Sequence, residues 1–478
     1  MTDITALLPL SIPLAGALTT MLLEVFLKRR DKSYLAYLSI IFLLGNILMS
    51  FRCWGKDYTY FGRMLHWDNP SLVFSMLLNL AVVFVVLISI SYISRQGANH
   101  GEFYSLLLFA LTGALIMVST ADLLVIFLGL EVLSISSYAL AGIKRSDDRS
   151  SEAAVKYFLL GSFAAAFLIY GIALLYGAFH ATGLQQILHD FQSASGPPWM
   201  ALLGLGFVLI GFGFKIALIP FHMWTPDVYQ GAPTPVTAFF SVVPKAVGFA
   251  VLLRFFRPDW PALLESPIIV GILTGLAVLT MVGGNLLALR QTDVKRILAY
   301  SSIAHAGYLL VAIIARDAAS LMFYLIVYLF MNVGAFSAVI VMSRDGHEYT
   351  ELEDYAGIGF RYPWLGACFA VFLFSLAGFP PTGGFLAKFY VFAAGVREGL
   401  IPLVVIAVLA SLISVYYYLR IIVVMYMRPP SPNLVINLKN QALFLVLFLC
   451  LYGVLRMGLF PGNILLFIKQ AVLSIAAF

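Results

Sequence analysis

GFGFKIALIPFHMWTPDVYQGAPTPVTAFFSVVPK, residues Gly211–Lys245, begins and ends as apolar sequence of the kind that crosses a bilayer. Between those ends stand Lys215, Pro220, His222, Pro226, Asp227, Gly231, Pro233 and Pro235, and Lys245 closes the stretch. A helix that only had to span lipid would carry none of these. Proline removes a backbone donor, and a break inside a membrane helix is tolerated only where protein or water surrounds it. Ionisable side chains at membrane depth are costly and mark ion or proton paths. The stretch reads as a broken helix carrying a proton-exchanging lysine.

Working outward, the 478 residues are 62% hydrophobic and 11% charged, with a mean hydropathy of +0.96. Soluble domains carry about 25% charged residues, so the fold class is an all-α polytopic membrane protein. Apolar runs long enough to span fall near 4–27, 34–51, 71–93, 103–119, 121–143, 153–179, 199–226, 234–256, 267–289, 296–314, 318–342, 362–395, 400–427 and 441–466. That makes about fourteen transmembrane helices, of which 199–226 and 362–395 are long and carry proline or glycine breaks. The longest polar connections, near 52–70, 180–198 and 343–361, are too short for a soluble domain. The opening MTDITALLPLSIPL has no basic n-region and no small-residue cleavage site, so it is expected to stay as the first span.

Several function classes fall away. Cys53, Cys368 and Cys450 are far apart and form no CxxC or Cys/His cluster, so iron–sulfur, haem and structural zinc sites have no ligands in the sequence. GLGF and GFGF resemble a nucleotide-binding turn, but they lie inside an apolar run with no strand before them. Nothing visible would oxidise NADH, bind flavin or hydrolyse ATP, and energy must come from an ion gradient or a partner. The net charge of +6 reflects basic residues in short loops rather than a nucleic-acid surface. One set of alternate loops, from Lys28, Arg29 and Arg30 through Lys144, Arg145, Arg149, Lys295, Arg296 and Arg344 to Lys439, is nearly twice as rich in lysine and arginine as the other, which includes Arg52, Lys56, Arg63, Arg254 and Arg257. The positive-inside rule makes the richer set cytoplasmic and places both termini in the periplasm.

An internal repeat is also expected. GFGFKIALIPFH around Lys215 and GFPPTGGFLAKFY around Lys388 each set a lysine beside a break, and paired interrupted segments in two halves of a transporter point to its ion site. The match is imperfect, because Lys215 precedes its prolines and Lys388 follows its own.

Candidate proton carriers follow from residue type and depth. Glu131, mid-span in ADLLVIFLGLEVLSISSYALAG, is expected to pair with Lys215. Burial disfavours a charged ammonium and a nearby carboxylate favours it, so making or losing that contact would move the lysine between holding and releasing a proton. The plain alternative is a static ion pair. Lys245 and Lys388 occupy similar apolar settings, against the alternative that they snorkel to an interface. His222 and His305 are candidate links, since imidazole titrates near neutrality and both ring nitrogens bond, although a membrane histidine is often only a helix–helix contact. Lys156 follows Glu152 by four residues, which also fits a surface ion pair; Glu24 with Lys28 is read as only that. Asp122, Asp227 and Asp293 look like helix caps or loop residues.

FLGLEVLSISSYALAG, GFGFKIALIPFHMWTPDVYQGAPTPV, KRILAYSSIAHAGYLL and FSLAGFPPTGGFLAKFY together resemble the antiporter-like N-subunit family of bacterial respiratory complex I, the proton-translocating NADH–quinone oxidoreductase. The resemblance spans nearly the whole chain. It implies fourteen helices in an antiporter-like fold, with two inverted five-helix repeats and broken helices 7 and 12. The implied organisation is a single membrane domain: an N-terminal three-helix segment at 1–100, repeats at 103–256 and 267–427, and a C-terminal helix at 441–478. It implies Glu131 and Lys215 as a coupled pair, Lys245, His222 and His305 as the central relay, Lys388 as the exit lysine, and Lys156 as a channel-lining residue. No cofactor is expected in this chain; NADH, FMN, iron–sulfur clusters and quinone would belong to other subunits. The implied partners are neighbouring membrane-arm subunits in the bacterial inner membrane. Subunits of multisubunit cation/proton antiporters share the same ancestry, and co-purifying flavin and iron–sulfur subunits would tell the two apart.

Overall fold

A computed structural model describes residues 7–27, 31–62, 64–98, 100–193, 199–256, 262–343, 347–430 and 440–473. Lys28, Arg29, Arg30, Arg63, Arg257, Arg344 and Lys439 of the orientation argument lie outside the described residues.

Helices form at every predicted span. Three open the chain: α1 (Leu8–Phe26), α2 (Ser33–Arg52) and α3 (Asn69–Arg95). A hairpin of β1 (Tyr58–Tyr60) and β2 (Leu65–Trp67) fills the connection before α3. Then come α4 (Glu102–Val118), α5 (Leu123–Ala141), α6 (Asp148–Phe179), the short α7 (Leu184–Ser193), α8 (Trp199–Lys215), α9 (Trp224–Gly231) and α10 (Thr234–Phe255). After α11 (Ala262–Glu265) follow α12 (Pro267–Ala288), α13 (Val294–Ile314), α14 (Ala318–Val341), α15 (Ile358–Arg361), α16 (Pro363–Ala377), α17 (Gly383–Arg397) and α18 (Ile401–Met427). The described chain ends with α19 (Gln441–Leu459) and α20 (Gly462–Leu473).

Eleven of these helices are long and apolar enough to cross a membrane, and α4, α8, α16 and α20 are shorter apolar ones. Two of the short ones are halves of the predicted broken spans, α8 with α9 and α16 with α17. The final span, expected as one helix, is also divided. Pro461 has no N–H to extend the α19 ladder, and α20 starts afresh at Gly462. Helix α7 was not foreseen. Its Leu184, Ile187, Leu188 and Phe191 face the protein and Gln185, Gln186 and His189 face outward, which is a helical stripe within a connection that reads as polar.

Helices α10 and α13 are buried throughout their apolar stretches and α14 nearly so, whereas α1, α2, α6, α12, α18 and α19 leave much of their apolar surface outward. In a bilayer that outer surface meets lipid at no cost. The polar residues on α10, α13 and α14 are therefore held in the protein interior.

A backbone clip occurs twice. Asp122 caps α5 by accepting from the N–H groups of Leu124 and Val125 at 2.9 and 3.2 Å. Next to it, Leu123 N–H donates to Thr182 O, Leu184 N–H donates to Ala121 O, and the Thr182 hydroxyl donates to Asp122 Oδ2 at 2.6 Å. Asp293 caps α13 through Arg296 N–H at 2.9 Å. There Val294 N–H donates to Thr350 O, Leu352 N–H donates to Thr292 O, and the Thr350 hydroxyl donates to Asp293 Oδ2 at 2.6 Å. Spans α5, α6, α8–α9, α10 and α12 separate the two aspartates. An odd number of crossings puts the clips at opposite ends of the bundle, as inverted repeats require.

Candidate functional site

Both broken helices stop in the same way. At the end of α8, Ala217 is left-handed (φ 62°); its N–H donates to Phe214 O and Leu218 N–H donates to Gly213 O. At the end of α16, Gly378 is left-handed (φ 92°); its N–H donates to Ser375 O and Phe379 N–H donates to Phe374 O. This pair of reversed bonds around a left-handed residue satisfies the last carbonyls of a helix. Groups freed by the breaks find other partners: Trp224 Nε1 donates to Phe214 O at 2.9 Å, Ile219 N–H to Thr280 Oγ1 at 3.0 Å, and Gly384 N–H to Ser375 Oγ at 3.0 Å.

Each break holds a buried ammonium. Lys215 is the last residue of α8 and donates to Ser134 Oγ on α5 at 2.9 Å. Lys388 lies well inside α17 but reaches back to the end of α16, donating to Ala377 O at 2.8 Å and to Ser411 Oγ on α18 at 2.8 Å. Both cations thus sit at the C-terminal end of an upstream half-helix, where the helix dipole is negative. The mismatch in the sequence, one lysine before its break and one after, disappears in space.

Lys245 lies between them on α10, one residue after an in-helix proline, Pro244. It bonds to both the carbonyl and the hydroxyl of Ser302 on α13, the latter at 2.6 Å. Tyr328 donates to the same hydroxyl at 2.8 Å. Three residues on, His305 Nδ1 meets Tyr324 Oη at 2.6 Å and its Nε2 lies 3.4 Å from Tyr418 Oη. A further three residues on, the Tyr308 ring lies 5.2 Å from Lys388 Nζ. Residues spaced three apart share one helix face, so α13 presents Ser302, His305 and Tyr308 in a row from Lys245 toward Lys388. Sequence reasoning had named the charged members of this row and seen serines and a tyrosine beside His305, but not the tyrosines of other helices, Tyr324, Tyr328 and Tyr418, that complete it. The serines Ser301 and Ser302 stand close to His305 in the apolar middle of α13.

Glu131 and Lys215 come close but form no ion pair within 4 Å; Ser134 takes the ammonium, and Glu131 Oε1 is buried without a protein partner. Glu131 is half-buried and shares an α5 stripe with the exposed Leu124, Leu128 and Ile135. Lys215 and Lys245 are not joined by a hydrogen bond among the described residues. Beside Lys215 stands the ring of Tyr157, stacked on Trp224 at 4.4 Å and edge-on to Phe240 at 5.4 Å.

Two candidates sit apart from the row. His222 lies in the turn between α8 and α9, half-buried, with Nδ1 unpartnered, and no described hydrogen bond links it to a lysine. Lys156 is partly exposed and pairs with Glu152 and Asp227, each at 2.7 Å; Asp227 also takes Arg296 at 2.8 Å. Asp227 is therefore a charge hub in the first turn of α9 rather than a cap. Lys295, counted above as a loop charge, is in the first turn of α13 with no side-chain exposure, because Glu348 meets it at 2.9 Å. Glu24 pairs with Lys32 at 2.8 Å. No group of three or more histidine, cysteine, aspartate or glutamate side chains able to hold a metal occurs among the described residues.

A row of buried lysines threaded through two broken helices in an inverted repeat defines an antiporter-like membrane protein. Residues 120–414 match the family model described as NADH:quinone oxidoreductase/Mrp antiporter, TM. The chain is 45% identical to NADH-quinone oxidoreductase subunit N of Trichlorobacter lovleyi over 95% of this chain and 93% of that one. It is 36% identical to a chain in the structure of respiratory complex I from Thermus thermophilus with bound aureothin, covering 96% of this chain and 98% of that one with a TM-score of 0.80. The fold alone is shared with a chain of the Mrp complex from Dietzia sp. DQ12-45-1b, at 19% identity, 98% and 97% coverage and a TM-score of 0.86. The protein belongs to the NADH:quinone oxidoreductase/Mrp antiporter transmembrane family, in its NADH-quinone oxidoreductase subunit N branch.

Proposed function

We propose that this chain is a proton-translocating membrane-arm subunit of NADH–quinone oxidoreductase, in which other subunits oxidise NADH and reduce quinone with their own FMN and iron–sulfur clusters. The observation that carries the reading is the set of three buried lysines, Lys215, Lys245 and Lys388, whose ammonium groups have only neutral hydroxyl and carbonyl partners. A buried lysine that stays charged needs a carboxylate beside it; one that gives up its own proton needs partners that tolerate both states. Moving one charge against 100 mV costs about 2.3 kcal/mol. A change of about two units in a lysine's proton affinity supplies that amount.

In this mechanism the half-buried Glu131 is where a neighbouring membrane-arm subunit acts. Drawing its charge toward or away from Lys215 alters how tightly that lysine holds its proton. Protons then pass from Lys245 through Ser302, Tyr328 and His305 to Lys388, and on to the periplasm. His222 and Lys156 have supporting places, at the first break and in the charged network at its end. The chain divides as residues 1–100, two repeats at 103–256 and 267–427, and 441–478, set in the bacterial inner membrane with both termini periplasmic. The test is NADH-driven proton pumping in assembled complex carrying Lys215→Ala. Pumping is expected to fall at least about tenfold, and normal pumping per NADH with normal assembly would refute the reading.

A further inference from the structure

Near the second clip the protein has a polar well of about 250 Å³, lined by Lys144, Asp147, Arg149, Gln230, His347 and Glu348 among others. That volume holds several water molecules. Toward its inner side stands an ion pair that the proton row above does not use. Glu348 accepts from Thr234 N–H at 3.1 Å, from the Thr234 hydroxyl at 2.9 Å and from Lys295 Nζ at 2.9 Å. Lys295 also donates to Ala232 O at 2.7 Å.

The pair is not needed to close the clip. Lys295 stands two residues after Asp293, and Glu348 two before Thr350. The same positions around the first clip, two after Asp122 and two before Thr182, are Leu124 and His180, both exposed. That clip has the same two backbone bonds and the same threonine–aspartate bond without any ion pair. A charge pair with a fully buried lysine therefore occurs in only one of two equivalent places, on the side that the positive-inside balance makes cytoplasmic. It also lies on the helix that bears the row: Ser302 follows Lys295 by two turns, a rise of about 10 Å, and accepts from Lys245.

We propose that the Lys295–Glu348 pair is a proton-loading site, which takes protons from the cytoplasmic side through this well and passes them along α13 to Lys245. The step is a transfer of one proton from water in the well to the Glu348 carboxylate, and from there inward. Burial pushes the Glu348 carboxyl up to about 8 against the Thr234 hydrogen bond, while the Lys295 ammonium favours its ionised form. The carboxyl lines the well, within reach of its water, and is held above the ordinary carboxylate range. Lys144, Asp147, Arg149 and His347 around the well, with Asp293 on the clip, set the field in which it does so.

The inference rests on the proposed pumping function and on the orientation. Its test uses the assembled complex. Glu348→Gln keeps an oxygen to accept from Thr234 but carries no exchangeable proton. NADH-driven pumping is expected to fall by about threefold or more, with Glu348→Asp restoring most of it, and with the pH profile of pumping flattened near pH 8. A purely structural role would leave pumping and its pH profile normal in the assembled glutamine variant. A second variant avoids any folding defect: His347→Cys, assembled first and then modified from the cytoplasmic side with a bulky, membrane-impermeant thiol reagent. The native cysteines are buried, and the unsubstituted complex treated in the same way is the control. Pumping is expected to fall on modification. Normal pumping in the fully modified variant, or in Glu348→Gln, overturns the proposal. If Lys215→Ala stops pumping while both of these pump normally, the loading site is wrong and the pumping function stands. If all three pump normally, the function itself falls.

Discussion

At the first break the left-handed residue is Ala217 and the lysine ends the upstream half-helix; at the second it is Gly378 and the lysine belongs to the downstream half. Both ammonium groups nevertheless reach the same electrostatic position, at the C-terminal end of the upstream half. They differ in their company. Lys215 has one hydroxyl partner and a carboxylate, Glu131, a turn away on α5. Lys388 has a carbonyl and a hydroxyl, and forms no ion pair with a carboxylate among the described residues. A charge that must respond to a signal needs a movable counter-charge, and a charge that must leave needs none. In the proposed mechanism the first break is the one that is switched and the second the one that releases.

The largest expected effect tests whether the two breaks serve one path. Lys215→Met and Lys388→Met should each lower NADH-driven pumping at least about tenfold. Because residues of one relay act as a unit, the double variant should be no worse than either single one. Losses that multiply in the double variant would mean two separate routes, and the comparison would break.

A smaller effect separates the partners. Ser134→Ala removes the one hydrogen bond that Lys215 makes among the described residues. The net worth of one hydrogen bond is about 1 kcal/mol, so pumping should fall by about fivefold. Ser411→Ala leaves Lys388 the Ala377 carbonyl, and the loss should stay near about threefold. Equal losses would show that the carbonyl contributes nothing to Lys388.

What was legible in the sequence follows from how each feature is encoded. Spans are written in long apolar runs, the breaks in Pro220 and in Gly378, Pro380 and Pro381, and two helix starts in Asp122 and Asp293. Each of these is a local signal, and all were readable. Pro461 carried the same kind of signal inside the apolar run 441–466, which reads as one span. The partners of the lysines were not readable, because a serine in a membrane helix looks the same whether it bonds back to its own turn, as Ser137 does to Leu133 O, or across to a lysine, as Ser134 does. Lys295 was misread for a related reason. Beside Arg296 it looks like part of a basic loop, and only the fold brings Glu348, more than fifty residues on, against it.

The left-handed residues give the next comparison. An L-residue in that conformation costs about 1–2 kcal/mol, which glycine avoids. Ala217→Gly should release strain of about that size, offset in part by glycine's extra freedom when unfolded, and leave pumping near normal. Gly378→Ala adds the strain, and the new Cβ would lie 3.0 Å from Lys388 Cδ and 3.4 Å from its Nζ. The lysine must then shift from the Ala377 carbonyl. Pumping should drop by about threefold while assembly, followed by the yield of intact complex, changes little. If Ala217→Gly is the more harmful of the two, the strained alanine has a role that glycine cannot fill.

The smallest effect concerns the clips. Thr182→Val and Thr350→Val each remove one hydroxyl bond to an aspartate, worth about 1 kcal/mol. The two aspartates are not equally exposed to the loss. Asp122 Oδ2 accepts from Thr182, whereas Asp293 Oδ2 accepts from Thr350 and also from Gln230 Nε2 at 3.1 Å. The first clip should therefore loosen more. Amide hydrogen exchange reads this locally: Leu123 and Leu184 N–H should exchange about fivefold faster in Thr182→Val, and Val294 and Leu352 N–H by less in Thr350→Val. The reverse order would mean that the charged surroundings of the second clip strain it rather than support it, and that Lys295 and Glu348 are held there at the clip's expense.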